Sequence, residues 1–169
     1  RAQMEIAVLL GPRNALIRSY IGKVYYEEMR DELAESQLGI AKQLDPLDPT
    51  AWFYDAMRKQ TINRPVDSLR DLRTSIELND NRAVYRSRLA LDADLAARGA
   101  SMARIYDSLG FDQLARSEAS QSLSLSPSNH SAHRFLSDAY ARRPRHEIAR
   151  VSELLQSQLL QSVNINPVA

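Results

Sequence analysis

A spacing of 34 residues constrains this chain more than any other feature. In residues 14–46, Ile21, Gly22 and Tyr25 are followed by Ala34, Leu38, Ala41 and Pro46. Residues 131–161 place Leu136, Ser137 and Tyr140, then Ala149, at matching distances. A period of this length is the size of one helix–turn–helix unit, which cannot bury its apolar face alone and must be covered by the next copy. Small residues recur where two helices must approach closely: Gly22, Ala56 and Ala103 on one helix, and Ala34, Ala115 and Ala149 on the other. Turn chemistry agrees, since "LDPLDPT" ends one helix and offers Asp48 and Thr50 as caps for the next, and "SPSN" repeats the device.

With Ala15 as position 1, residues Ile21, Gly22, Tyr25, Ala34, Leu38, Ala41 and Pro46 resemble the signature of the tetratricopeptide repeat. The next repeat starts at Pro49 and keeps Trp52, Ala56 and Leu72, with Asp55 and Ser68 departing from the pattern. Counting from Ala96 restores the register through Met102, Ala103, Tyr106, Ala115, Ala119, Ser122, Leu125 and Pro127, and a further repeat begins at His130. The expectation is an all-α, right-handed α-solenoid. It comprises one array over 1–163, with a partial repeat at 1–14, repeats at 15–48, 49–82, 96–129 and 130–163, and a tail at 164–169.

Residues 83–95 fit no repeat. In one reading the first helix of the third repeat extends backward, because Val84, Leu91, Leu95, Met102 and Tyr106 recur at helical spacings. In the other, "AVYRSRLAL" leaves as an arm and Asp92 or Asp94 caps a helix running to Ser108. The "NDN" stop and Arg88 inside the apolar stripe favour the arm. Either way Tyr85, Arg86, Arg88 and Leu89 are unexplained by repeat packing and are candidate partner contacts.

Composition narrows the chemistry. The chain has 169 residues, a net charge of +1 and no Cys, which removes thiolate nucleophiles and Cys-based zinc sites. The balance of charge gives no footprint for nucleic acid, and no stretch is long and apolar enough to span a bilayer. "RHEIAR" opens like a zinc-protease helix but carries Arg150 where a second His would stand. His130 and His133 lack a third ligand nearby in sequence, no glycine-rich phosphate loop occurs, and no catalytic constellation is present. No enzyme activity, cofactor or metal is expected.

The resemblance implies that first helices line a concave groove through positions 2, 5, 9 and 12. Those positions hold Leu16, Ser19, Lys23 and Tyr26; Thr50, Phe53, Met57 and Gln60; Ala97, Ala100, Arg104 and Asp107; then Ser131, Arg134, Asp138 and Ala141. Lys23, Tyr26, Phe53, Met57, Gln60, Arg104 and Arg134 are the candidate partner contacts. A face with aromatic and Met anchors at one end and Arg at the other suits a peptide or protein partner with apolar and acidic portions. The chaperone-tail clamp of this family needs Lys and Asn that are absent apart from Lys23. Arg134, Arg142, Arg143, Arg145 and Arg150 also invite contact with an anionic polymer.

The C-terminal "PRHEIARVSELLQSQLLQ" is similar to the end of tetratricopeptide arrays in certain Gram-negative proteins in which an outer-membrane β-barrel follows. That likeness implies a periplasmic segment of an export or secretion pore, exopolysaccharide exporters among them; without it, the cytoplasm is the alternative. Beginning at Arg1 with no signal peptide, the chain reads as part of a longer protein.

Overall fold

The computed structural model describes residues 1–84, 87–143 and 145–161. Among these the chain is all-α, with no strand. It forms α1 (Ala2–Leu10), α2 (Ala15–Glu27), α3 (Asp31–Leu44), α4 (Pro49–Thr61), α5 (Pro65–Glu77), a 3-10 helix (Asn79–Val84), α6 (Arg88–Ser108), α7 (Asp112–Leu125), α8 (His130–Ala141) and α9 (Glu147–Leu160). Two compact units emerge, Arg1–Ser87 and Arg88–Ala169. In the first, α2 packs on α3 and α4 on α5, with α3 against α4; in the second, α6 packs on α7 and α8 on α9, with α7 against α8.

Local chemistry starts and stops these helices. Asn14 accepts from the Ile17 amide, Asp48 from Thr50, and Asn129 from Ser131 and Ala132, each satisfying an orphan N–H of a first turn. Pro49 and Pro65 stand in first turns, where no amide hydrogen is needed. The helices within each pair are joined through one left-handed residue, at Met29 (φ 60°), Asn63 (φ 60°), Gly110 (φ 83°) and Arg145 (φ 82°).

The paired helices meet at small residues. A Cβ on Gly22 would lie 2.6 Å from Leu38 Cγ, and Leu38 is fully buried. Where alanine is replaced, serine occupies the seam and donates across it: Ser68 to the Ala56 carbonyl (2.6 Å), Ser75 to Pro49 (2.8 Å) and Ser122 to Ala96 (2.6 Å). The last two bonds both span 26 residues and occupy the same repeat position. Ser68, a departure from the sequence pattern, therefore fits the seam by satisfying its hydroxyl on backbone.

Two sequence expectations change. The left-handed turn residue falls one place later between α8 and α9 than in the other pairs, so α9 is offset by one residue. Ser137 Oγ donates to the Arg150 carbonyl (3.1 Å), and Arg150, not Ala149, faces the small residue of its partner helix. The offset also turns Ile148, Val151, Leu155 and Leu159 outward, where α7 carries Gln113, Arg116, Ser120 and Ser124. The second correction concerns the arm. Helix α6 starts at Arg88, so Asp92 and Asp94 lie inside it and neither is its N-cap. Leu91 is buried, while Arg88 is exposed and pairs with Asp92 (3.2 Å), so it flanks the apolar stripe without breaking it.

Behind α4 lies a buried charge cluster. Lys42 of α3 bonds Asp55 (2.6 Å) and Asp71 (2.8 Å), and Lys59 bonds Asp71 (2.6 Å) and Asp55 (3.0 Å). Arg58, 1% exposed, donates Nε to Asp55 (2.8 Å) and Nη1 to both oxygens of Asp31 (3.0 and 3.1 Å). Its Nη2 lies 3.3 Å from Glu35, an ion-pair distance without hydrogen-bond geometry. Lys42 also sits 4.2 Å from the centre of the Trp52 ring. Burial alone would raise the Asp55 carboxyl, but the charge of Lys42 and hydrogen bonds from Lys42, Lys59 and Arg58 overcome it and hold Asp55 well below the ordinary carboxylate range.

Two tests follow from this packing. Gly22→Ala must displace Leu38 and should cost about 1–3 kcal/mol. Gly39→Ala, with nothing within 4 Å of its added Cβ, should stabilise by roughly 0.5–1 kcal/mol. Urea denaturation of the two variants checks the contrast. Asp55→Asn leaves two lysines and Arg58 short of a counter-charge and should cost about 3 kcal/mol or more. Because Asp55 is depressed in the fold, its contribution is present above the unfolded carboxylate pKa of about 3.9 and fades as pH falls below it. Unfolding free energy should therefore drop below pH ~4 with a steeper slope in the parent than in Asp55→Asn.

Candidate partner-binding faces

In the first unit the first helices α2 and α4 lie side by side. Lys23 and Tyr26 on α2, and Phe53, Met57 and Gln60 on α4, are all partly exposed, so none is consumed by the core. Burial raises the Tyr26 phenol above its ordinary value. Lys23 pairs with Glu27 (3.4 Å) and lies 5.6 Å from the centre of the Tyr54 ring. Tyr54 in turn contacts Phe53 (5.5 Å between centroids) and Tyr20 (6.2 Å). The charge cluster fixes the opposite side of α4 through Asp55, Arg58 and Lys59, and so sets which way Phe53 and Met57 point.

Tyr20 and Tyr54 belong to this face and were not among the predicted contacts. The signal was present, because they stand 34 residues apart and occupy one repeat position. Three positions assigned to the groove instead turn inward. Ser19 is buried and donates to the Ala15 carbonyl (2.9 Å), Thr50 is buried and donates to Asp48 (2.6 Å), and Ala100 is buried. A short hydroxyl satisfied on its own helix or cap costs nothing to bury, which the repeat position alone did not reveal.

In the second unit Arg104 and Arg134 are exposed, and Arg134 pairs with Asp138 (3.3 Å). Arg142 grips Asp107 with two bonds, 2.9 and 2.8 Å, which hold its guanidinium above the ordinary value. Of the insertion residues, Arg88 and Leu89 lie exposed on the first turn of α6, and Tyr85 and Arg86 fall outside the described residues. His133 is engaged internally, with its ring nitrogens at the Pro127 carbonyl (2.9 Å) and the Glu153 carboxylate, and so ties α8 to α9.

Each unit has a cavity at the turn end of successive helix pairs, and the two share four repeat positions: Tyr26 matches Asp107, Asp31 matches Asp112, Thr61 matches Arg142 and Ile62 matches Arg143. In the first unit it is about 90 Å³, lined by Tyr26, Met29, Asp31, Thr61 and Ile62. The second unit's counterpart is about 190 Å³, lined by Asp107, Asp112, Arg116, Ala139, Arg142 and Arg143. Ala139 stands at the repeat position of Arg58, whose guanidinium bonds Asp31 beside the smaller cavity.

Among the described residues no group of His, Asp and Glu could hold a metal ion, and no helix is long and apolar enough to cross a membrane. No protein-family model matches the chain, and no curated protein matches it. Solved structures do. MamA aligns over 93% of this chain and 84% of its own, with 18% identity and a TM-score of 0.67. The Cut9–Hcn1 hetero-tetramer of the APC/C contains a chain that aligns over 95% of this one at 17% identity and a TM-score of 0.78, though only 29% of that chain is covered. PilF of Pseudomonas aeruginosa aligns over 94% of this chain and 66% of its own, at 12% identity and a TM-score of 0.74. At such identities the likeness establishes architecture alone: the fold is the helix-pair α-solenoid of tetratricopeptide-repeat proteins.

Proposed function

We propose that the chain is a non-catalytic interaction scaffold whose first-helix faces bind a peptide or helix of a protein partner. The observation that carries this reading is the aromatic and Met face of α2 and α4. Tyr20, Tyr26, Phe53, Tyr54 and Met57 keep exposed apolar surface although the core is closed without them. Large, rigid aromatic side chains with Met between them give contact area at low entropic cost, which is the composition of binding hot spots. The exposed Arg104 and Arg134 on the second unit suit an acidic portion of the same kind of partner. The Cut9–Hcn1 hetero-tetramer offers a precedent for a chain of this fold held in an assembly with another protein. A periplasmic location beside an outer-membrane pore rests on the C-terminal sequence likeness and is proposed on that ground alone.

Peptides selected from a displayed random library against the chain should carry an aromatic or aliphatic anchor together with Asp or Glu. Fluorescence anisotropy should then show affinity falling about tenfold or more in Phe53→Ala and Met57→Ala, with circular dichroism unchanged, and weakening as salt rises. Selected peptides that bind both variants as tightly as the parent would overturn the reading.

A further inference from the structure

The two edge cavities are the same structural slot with opposite electrostatics. In the first unit Asp31 lines the slot, with Glu35 and Asp55 next to it around Arg58, and the protein supplies its own cation: the Arg58 head bonds Asp31 and Asp55 and lies 3.3 Å from Glu35. That arrangement shows that the position admits one fork-shaped charged group, nearly dehydrated, between successive helix pairs. In the second unit three of the four positions change. Ala139 replaces Arg58, Arg116 replaces Glu35 and Leu136 replaces Asp55, while Asp112 keeps the place of Asp31. The internal cation is gone, the cavity is twice the volume, and a wall of the slot has become basic.

The charges left over can be assigned. Asp107 is fully engaged by Arg142 through two bonds. The side chains of Arg116 and Arg143 line the cavity and form no hydrogen bond or ion pair among the described residues. Against them stands only Asp112, so the lining carries one uncompensated positive charge, in partly enclosed surroundings where Arg forks favour a planar carboxylate.

We propose that this cavity between the α6–α7 and α8–α9 pairs is a subsite for one Asp or Glu side chain of the bound partner, held by Arg116 at its wall and Arg143 at its rim. The proposal deepens the scaffold reading and rests on it for the source of the carboxylate. One net charge and the nearby Asp107 and Asp112 match a monoanion better than a phosphate dianion, and about 190 Å³ admits a short acidic side chain. None of the four groove positions of a first helix is involved except Asp107, so the subsite lies beside the predicted groove contacts and is separate from them.

The test reads the arginine side chains directly. N-acetyl-glutamate, and separately inorganic phosphate, are titrated into the ¹⁵N-labelled chain while the Arg Nε–Hε signals are followed by NMR. The expected result is a saturable shift of Arg116 and Arg143 at roughly millimolar N-acetyl-glutamate, about tenfold weaker in Arg116→Gln and unchanged in Arg13→Gln, an exposed arginine of the first unit with no part in either face. Ala139→Arg, which places a guanidinium where Arg58 stands in the other slot, should abolish the shift while leaving the helical spectrum intact. A uniform drift of all exposed arginines, saturation by phosphate without N-acetyl-glutamate, or a response surviving in both Arg116→Gln and Ala139→Arg would each overturn the proposal. Because this readout needs no peptide, its failure is distinct from failure of the Phe53 and Met57 test.

Discussion

The structure depends on how closely the two helices of each pair can approach. At Gly22 the gap leaves no room for even one carbon beside Leu38, and at Ser68, Ser75 and Ser122 a hydroxyl bridges to the facing carbonyl within 2.8 Å. Serine is well suited to such a seam: it is nearly as small as alanine, and once its hydroxyl donates to backbone it carries no desolvation penalty. A directional bond across the seam also resists sliding, which apolar contact alone does not. Once the pairs are fixed, each offers its neighbour a surface of defined shape, and stability accumulates pair by pair.

The charge cluster behind α4 works differently. Replacing such a network by apolar residues of similar volume is often neutral or stabilising, so its presence is weak support for stability as its purpose. What it does supply is uniqueness of placement. Asp55, Arg58 and Lys59 lie on one helix, Lys42 on the preceding helix and Asp71 on the following one, so a rotation of α4 would strand several buried charges at once. The aromatic face opposite inherits that precision, since Phe53 and Met57 can point only where the buried side of α4 permits.

Much of this was legible in the sequence because a 34-residue period imposes its own register. Helix pairing, the small residues at the crossings and the caps at Asp48 and in the "SPSN" turn follow from position, whereas the Asn14 cap was not singled out. The candidate contacts Lys23, Tyr26, Phe53, Met57, Gln60, Arg104 and Arg134 lie on partly or fully exposed surface, as a position rule would place them, although exposure alone does not make them contacts. What escaped was whatever depended on pairing between repeats. Asp55 reads as a local flaw until Lys42 and Asp71 are seen beside it, and those residues are 13 and 16 positions away. The one-residue offset of α9 also escaped, because Ala149 satisfies the pattern by spacing while the turn at Arg145 silently absorbs an extra residue. The start of α6 at Arg88 escapes for a simpler reason: a charged residue can border an apolar stripe without breaking it, and spacing does not tell the two apart.

A repeat protein has few ways to make one slot differ from another, because the backbone of every pair is nearly the same. The edge cavities show the means available. Four side chains decide whether the slot is closed by the protein's own cation or left open with a basic lining, and none of the three changes among them touches the seam that holds a pair together. Arg58 is bound by carboxylates on three sides and nearly without solvent, so its charge is committed to the fold. Arg116, at a neighbouring position of the corresponding slot, makes no side-chain ion pair among the described residues: Leu136 stands where Asp55 does, and of the carboxylates around Arg58 only that of Asp31 has a counterpart, in Asp112. The same residue type therefore acts as structure in one unit and as an uncommitted charge in the other. The difference is set by its neighbours one helix pair away, which is why composition and spacing alone could not separate the two.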